Sequence, residues 1–329
     1  MPLLLTRADV ERCLPMDAAI EAVATGFRLL SAGEVVMPQR SVTPVVAHDG
    51  THLCMPAYIR SRPEVLCVKV VTAYGQNFAK YAEAPVQGVV LLHRPETGRL
   101  AAIIEAEYVT AVRTGAAGAV AADALACADA TVATVFGVGA QARTQLLALS
   151  LVRPLRSVFV LSKHDPRTDA FCREMATLLG CDVVAASDPE AAVRQSDVVI
   201  TATNATGPVL QGGWLRPGAH VTAIGAFTRD TRELDSEAVR RAKLYVDHRA
   251  AALLEAGDVL IPLGEGAIAP DHIVGEIGEV LLGLAPGRTR ADEITVFKSV
   301  GLAVQDAMVA SLVYQRAVEQ GVGTEVSLE

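Results

Sequence analysis

No apolar run in the sequence is long enough to cross a membrane. Charge, Gly or Pro breaks each one well short of the roughly 20 residues a spanning helix needs. No membrane partner is therefore expected, although 51% of the residues are hydrophobic. Dense Lys/Arg runs are also missing, and the 37 Asp and Glu outnumber the 29 Lys and Arg to give a net charge of −8. A nucleic-acid binder needs a basic face, so nucleic acid is not expected as a partner. There is no C-x-x-C pair and no H-E-x-x-H cluster, so no metal site is expected. The six cysteines (Cys13, Cys54, Cys67, Cys127, Cys172 and Cys181) read as buried thiols of a reducing, cytoplasmic compartment. The opening stretch MPLLLTRADVERCL has acids and arginines close behind its leucines and no small-residue cleavage site, so it is not expected to act as a signal peptide. With no internal repeat or low-complexity linker either, what remains is 329 residues with 20% charge: an ordered globular chain of about two domains.

The order of patterns suggests how those domains are built. Up to about residue 105 the chain reads as a mainly antiparallel sheet with helices. Asp17 is placed to cap a helix carrying Ile20, Val23, Phe27 and Leu30 up to a stop at Gly33. SVTPVVA, the pair Asp49-Gly50 and THLCMPAY read as a hairpin. From Glu107 an Ala-rich helix takes over, and short apolar strands then alternate with helices through TVATVFG, SVFVLS, DVVAA, DVVITAT, AHVTAIGA and KLYVD. In this stretch a helix is expected to start with Asp165 as cap and Pro166 at its first position. Such alternation marks a doubly wound parallel sheet. The chain ends in the long amphipathic helix GLAVQDAMVASLVYQRAVEQ.

Gly137-Val138-Gly139-Ala140-Gln141-Ala142 directly follows one strand and opens a helix. It fits G-x-G-x-x-A, in which the first Gly makes the turn and the second lets backbone approach a pyrophosphate at the helix N-terminus. The next strand ends in Leu161-Ser162-Lys163-His164, with Asp165 and Arg167 beyond. Ser and Lys suit a 2′-phosphate, which favours NADPH; NADH is possible if Asp165 meets the ribose.

Three cations stand in odd places. Lys69 lies among apolar neighbours in VLCVKVVTAY, and Arg113 in a helix followed almost entirely by Ala, Gly and Val. A buried ammonium is costly unless paired, though Lys69 snorkelling at a sheet edge fits the pattern as well. Arg40, after Met-Pro-Gln, stands where a solvated arginine is the default. If the three converge, they would suit an anionic substrate, a carboxylate above all.

Along nearly its whole length the chain resembles the ornithine cyclodeaminase/μ-crystallin family. The stretches that carry the resemblance are MPAY (55–58), VKVV (68–71), TAVRTGAAGAVAA (110–122), GVGAQA (137–142), TATNATGPVL (201–210), LRPGAHVTAIGA (215–226), RELD (232–235), YVD (245–247), EAGDV (255–259) and ITVFKSVGLAVQDAMVA (294–310). The resemblance implies an α/β fold in which a doubly wound Rossmann sheet (119–303) is inserted in an α+β substrate-binding and dimerisation domain (1–118). A C-terminal helix (304–329) returns to the first domain, and the subunits pair as a homodimer. It also implies a substrate carboxylate clamped by Arg40, Lys69 and Arg113. Thr114, Gly137, Gly139, Ala140, Gln141, Ser162, Lys163, Arg167, Thr201, Ala202, Thr203, Ser299 and Gly301 would contact the dinucleotide.

Within the resemblance one departure bears on chemistry. Cyclodeaminases and the related alanine dehydrogenases carry an Asp two residues after the Gly that matches Gly225; here that position is Phe227. A carboxylate there helps move protons at the substrate amino group, and Phe227 cannot. Asp230, in the run Arg-Asp-x-Arg-Glu-Leu, fits the μ-crystallin type, which reduces ketimines with NAD(P)H. It is read either as a catalytic acid or as half of a loop ion pair with Arg232. The expected activity is therefore an NAD(P)H-dependent oxidoreductase acting on C=N, a reductase of cyclic or short α-imino acids such as Δ1-pyrroline-2-carboxylate. Lys69 is the candidate proton relay and Phe227 a candidate wall of the substrate pocket. The alternatives are an ornithine cyclodeaminase or NAD-dependent alanine-type dehydrogenase, and a μ-crystallin-like protein that binds NADPH without turnover.

Overall fold

A computed structural model describes residues 1–163 and 166–328. The chain divides into two compact units, one formed by Met1–Arg113 with Leu302–Glu329 and the other by Thr114–Gly301.

The first unit begins with β1 (Leu3–Leu5) and α1 (Arg7–Cys13), whose N-terminus is closed by a reciprocal pair of bonds between Thr6 and Asp9. Next comes α2 (Met16–Ser31), with Ala19, Val23 and Phe27 buried along one side. Contrary to the expectation for Asp17, Pro15 holds the cap position in an extended conformation. Lacking an N–H, Pro15 lets the first turn start directly behind it. Asp17 is left inside that turn, where its carboxylate accepts the Ala18 N–H at 2.8 Å. The strands β2 (Val35–Val36), β3 (Ser41–Val45), β4 (Gly50–Ile59) and β5 (Val65–Tyr74) follow, then α3 (Asn77–Tyr81), β6 (Val86–His93), β7 (Leu100–Glu105) and α4 (Ala106–Leu125). The β3–β4 hairpin is antiparallel, with Asp49 in the left-handed conformation at its turn.

In the second unit β8 (Val132–Phe136), α5 (Ala140–Val152), β9 (Ser157–Leu161), α6 (Thr168–Leu179), β10 (Asp182–Ala185), α7 (Pro189–Gln195) and β11 (Val198–Thr201) alternate regularly. They are followed by β12 (His220–Ala223), α8 (Ser236–Arg241), β13 (Lys243–Val246), α9 (Arg249–Glu255), α10 (Gly257–Gly264), β14 (Ile273–Glu276), α11 (Ile277–Leu281) and β15 (Thr295–Lys298). The start expected for α6 is corrected. Arg167 is its cap residue and Pro166 lies in the turn before it, while Asp165 falls outside the described residues. The sheet runs β10-β9-β8-β11-β12-β15-β13-β14 with every neighbouring pair parallel. Strands buried on both faces, such as β11 with its run Val198-Val199-Ile200 ahead of Thr201, are correspondingly rich in apolar residues. Strand order reverses between β8 and β11, the point where open sheets of this kind hold ligands. Within this unit the Ala- and Gly-rich part of α4 lies close to α5. A Cβ on Gly115 would stand 2.6 Å from the Thr144 carbonyl oxygen, so only Gly permits the approach.

Finally, α12 (Ala303–Gln320) and β16 (Thr324–Glu325) complete the first unit. Its sheet runs β16-β1-β7-β6-β5-β4-β2, with β3 also pairing along β4. Alternation along β5 buries Val65, Cys67, Lys69 and Val71 on one face, the face on which α12 lies. On the opposite face Pro56, Val68, Leu91 and Ile103 form one cross-strand row and stay half-exposed.

Candidate active site

In the first unit two of the three cations singled out by the sequence, Lys69 and Arg113, meet on one carboxylate. Lys69 is 1% exposed, in the middle of β5, and its ammonium lies 2.9 and 2.8 Å from the two oxygens of Asp306. Arg113, on α4, places Nε 3.1 Å from the same Asp306 Oδ1 and donates from Nη1 to Gln305 Oε1 at 2.7 Å. The Gln305 oxygen also accepts the Leu302 N–H at 3.1 Å, so the first turn of α12 is tied to the cluster. Asp306 is fully buried at this helix N-terminus, where a negative charge is favoured. Thr110 Oγ1 stands 3.4 Å from the ammonium.

The ammonium is pushed down to about 8, chiefly by burial and further by the nearby Arg113 and Arg40; Asp306 opposes the fall. Arg40 is half-buried in the segment after β2, close enough to act on Lys69 through its charge. Snorkelling at a sheet edge is thus ruled out for Lys69, since β5 is flanked by β4 and β6 on both sides. The same enclosure pushes the Cys67 thiol up to about 12, leaving it unreactive. Asp306 and Gln305 are the members of this cluster that sequence reasoning missed. The signal was a Gln-Asp pair inside a helix turn whose other residues, Ala303, Val304 and Ala307, are buried apolar ones.

The second unit carries a cradle for a dinucleotide at the β8/β11 switch point. Gly137 has φ 111°, and a Cβ there would meet the Ala202 carbonyl oxygen at 2.5 Å, so no other residue makes this turn. Its N–H donates to Leu161 O at 2.8 Å. Gly139 is the cap residue of α5, without a side-chain cap and with open space where its Cβ would be. Uncapped N–H groups at an open helix start suit a pyrophosphate. Ala140 and Gln141 form the first turn of that helix. The backbone from Gly137 to Gln141 therefore fits the pyrophosphate of a dinucleotide.

Other residues named for the cofactor have identifiable partners. Thr114 is buried, and its carbonyl accepts from Gln145 Nε2 at 2.7 Å. Ser162 Oγ is hydrogen-bonded to Thr168 Oγ1 at the start of α6, while Lys163 and Arg167 are exposed. Ser299 donates to Asp247 Oδ2 at 2.7 Å, and the same oxygen accepts the Val300 and Gly301 N–H groups at 2.9 Å. Asp247 thus shapes the turn that presents Ser299 and Gly301.

A buried polar network underlies the loops that follow β11 and β12. Glu233, with no exposed surface, accepts from Thr201 Oγ1 at 2.9 Å, from the Thr203 N–H and hydroxyl at 2.7 Å each, and from the Gly225 N–H at 2.7 Å. Burial pushes its carboxyl above the usual range, while Lys298 and the Thr203 bonds pull the other way. Asp258 Oδ1 accepts the Glu233 and Leu234 N–H groups at 2.8 and 2.9 Å, its other oxygen pairs with Lys298, and Lys298 donates to Ala226 O. RELD, EAGDV and VFKS thereby gain a shared role that sequence alone did not reveal. The loop held in this way carries Phe227, 44% exposed, and an exposed Asp230. The loop ion pair considered for Asp230 and Arg232 does not form: Arg232 instead reaches Glu265 at 3.1 Å, which holds the loop against α10.

The chain is similar along nearly its whole length to proteins of named activity. The Δ1-pyrroline-2-carboxylate reductase of Bacillus cereus is 35% identical over 325 residues, covering 98% of this chain and 99% of that protein. The ketimine reductase μ-crystallin of Macropus fuliginosus is 37% identical over 318 residues, covering 95% of this chain and 96% of that protein. Among solved structures, the Thermococcus litoralis Δ1-pyrroline-2-carboxylate reductase in complex with NADH and L-proline superposes with a TM-score of 0.96 at 42% identity, covering 98% of this chain and all of that one. The model of the ornithine cyclodeaminase/μ-crystallin family matches residues 1–321, and with the glycine turn, the Lys69–Arg113 cluster and the loop network all built from the stretches that carry the resemblance, the chain belongs to that family.

Proposed function

We propose that this protein is an NAD(P)H-dependent reductase of cyclic or short-chain α-imino acids, ketimines such as Δ1-pyrroline-2-carboxylate, which it converts to L-proline or a relative. The observation that carries this reading is the charge count of the buried cluster. Lys69 and Arg113 are both enclosed, and Asp306 is the one carboxylate paired with them among the described residues. One buried positive charge is left to be neutralised, at a cost unless an anion arrives. A substrate α-carboxylate supplies that anion, and Arg40 adds to the attraction. Names of the relatives support the same reaction class, and a nicotinamide dinucleotide as cofactor.

In this reading the clamp fixes the carboxylate and so orients the C=N carbon, a positioning effect that supplies much of the rate. The dinucleotide, when bound, supplies the hydride. A substrate that arrives as the iminium needs little acid–base help. Where a proton is required, Lys69 is the donor, since an ammonium at about 8 gives and regains a proton near neutral pH. Asp230 is the second candidate acid, and Phe227 a wall for the substrate ring. NADPH is preferred over NADH through Ser162, Lys163 and Arg167. A homodimer belongs to the same reading; a monomer mass by light scattering at micromolar concentration removes it.

The deciding experiment follows NADPH oxidation with freshly generated Δ1-pyrroline-2-carboxylate, with NADH beside it. Turnover with both substrate and reduced cofactor present, faster with NADPH, is expected. Ammonia release from ornithine with NAD, and no imine reduction, would replace the reading with a cyclodeaminase. Tight NADPH binding without turnover on any imine would leave a dinucleotide-binding protein.

A further inference from the structure

Around the cation cluster, hydrogen-bonding capacity is divided unevenly. Asp306 Oδ1 lies within 3.1 Å of both Lys69 Nζ and Arg113 Nε, and Gln305 Oε1 accepts a hydrogen bond from Arg113 Nη1 at 2.7 Å. Nε of the guanidinium thus lies against Asp306 and Nη1 is bonded to Gln305, while its Nη2 carries no hydrogen bond among the described residues. Lys69 likewise has Asp306 and, at 3.4 Å, Thr110 as partners, which leaves its third proton available. Both cations are long side chains that lose several rotamers when fixed, a cost that a carboxylate ligand would otherwise bear on binding.

We propose that Asp306, assisted by Gln305, is the positioning residue of this site: from the first turn of α12 it holds Lys69 and Arg113 in one orientation, with their unused donors directed to a carboxylate ligand, and it keeps Lys69 protonated so that it can bind and donate. The inference rests on the reading of the cluster as a carboxylate clamp. Its electrostatic half follows from the groups around Lys69. Asp306 on α12 favours the ammonium, while burial, Arg113 on α4 and Arg40 after β2 disfavour it. Thr110 on α4 is a neutral partner, Cys67 on β5 stays a thiol, and the strand neighbours Met55 and Val90 are apolar. Removing the Asp306 charge therefore lowers the pH at which Lys69 loses its proton.

The test uses the full chain labelled with ¹³C at the lysine ε-carbon; with five lysines in the sequence, the Lys69 signal is assigned by its loss in Lys69→Arg. In Asp306→Asn the Lys69 titration is expected to move down by about one to three pH units. The alkaline limb of kcat/KM for imine reduction should move with it, and Asp306→Glu should restore much of both. An unmoved titration, with activity reduced equally at every pH, overturns the proposal and makes Asp306 a residue of the fold alone. Should Asp306→Asn fail to fold, Gln305→Leu decides. Freeing Arg113 is expected to raise the imine KM about tenfold with kcat and dinucleotide affinity unchanged, and an unchanged KM overturns it. The titration needs no substrate. A shift without turnover of any imine therefore removes the substrate reading, whereas turnover without a shift removes the role of Asp306.

Discussion

Lys298 and Asp258 meet at 2.7 Å with side chains 0% and 1% exposed. Because Asp258 also holds the backbone of Glu233 and Leu234, the pair anchors the segment that ties down the loops after β11 and β12. Asp258→Ala leaves an ammonium buried without a partner, and the expected loss is about 3–5 kcal/mol of stability, read from the denaturant midpoint. Adding Lys298→Met should recover part of it. A loss within about 1 kcal/mol would mean that water reaches the pair.

Arg113→Ala should weaken the site selectively. Losing one member of a buried charged contact costs about 2–5 kcal/mol, so the KM for the imine should rise at least about thirtyfold. NADPH affinity, measured by fluorescence titration, should stay near that of the unaltered protein, since the glycine turn lies in the other unit. Parallel loss of both affinities would point to misfolding or to a wrong assignment of the clamp.

His220 makes stability fall in acid. Its ring is fully buried between the hydroxyls of Thr295 and Thr222, at 2.9 and 3.1 Å, and burial together with Arg288 and Arg153 pushes it from 6.5 down to about 3. Below pH 6.5 the unfolded chain takes up a proton that the folded one refuses, so unfolding becomes easier as pH drops from 6.5 toward 3. Denaturant midpoints across this range should decline, and His220→Gln should flatten the slope. An unchanged slope would assign the acid sensitivity to other groups.

Phe227 tests the branch of chemistry. Phe227→Asp is expected to leave imine reduction no faster and to introduce release of ammonia from ornithine with NAD. If neither rate changes, the position does not set the reaction type.

How much was legible in advance depended on sequence distance. The turn at Gly137 stood out because strand, glycines and helix are adjacent in the chain, and Lys69 because a charge interrupts a strand of apolar residues. Asp306 did not, since its partner Lys69 is 237 residues away and a Gln-Asp pair on an amphipathic helix reads as its wet side. Likewise RELD, EAGDV and VFKS were recognisable as motifs, but Glu233, Asp258 and Lys298 meet only after β11, β12 and β15 are laid side by side. Local misreadings had local causes: Pro15 took the cap from Asp17, and α6 begins behind Arg167 rather than at Pro166.

The first unit is assembled from two separated stretches of chain, and this sets an order on biosynthesis. Lys69 and Arg113 leave the ribosome early, whereas Asp306 follows only after the whole of Thr114–Gly301 has been made. Until α12 emerges, the nascent first unit holds two cations that its own core cannot neutralise, so its final closure waits until the whole of the second unit has been made and that unit has every strand of its sheet in hand.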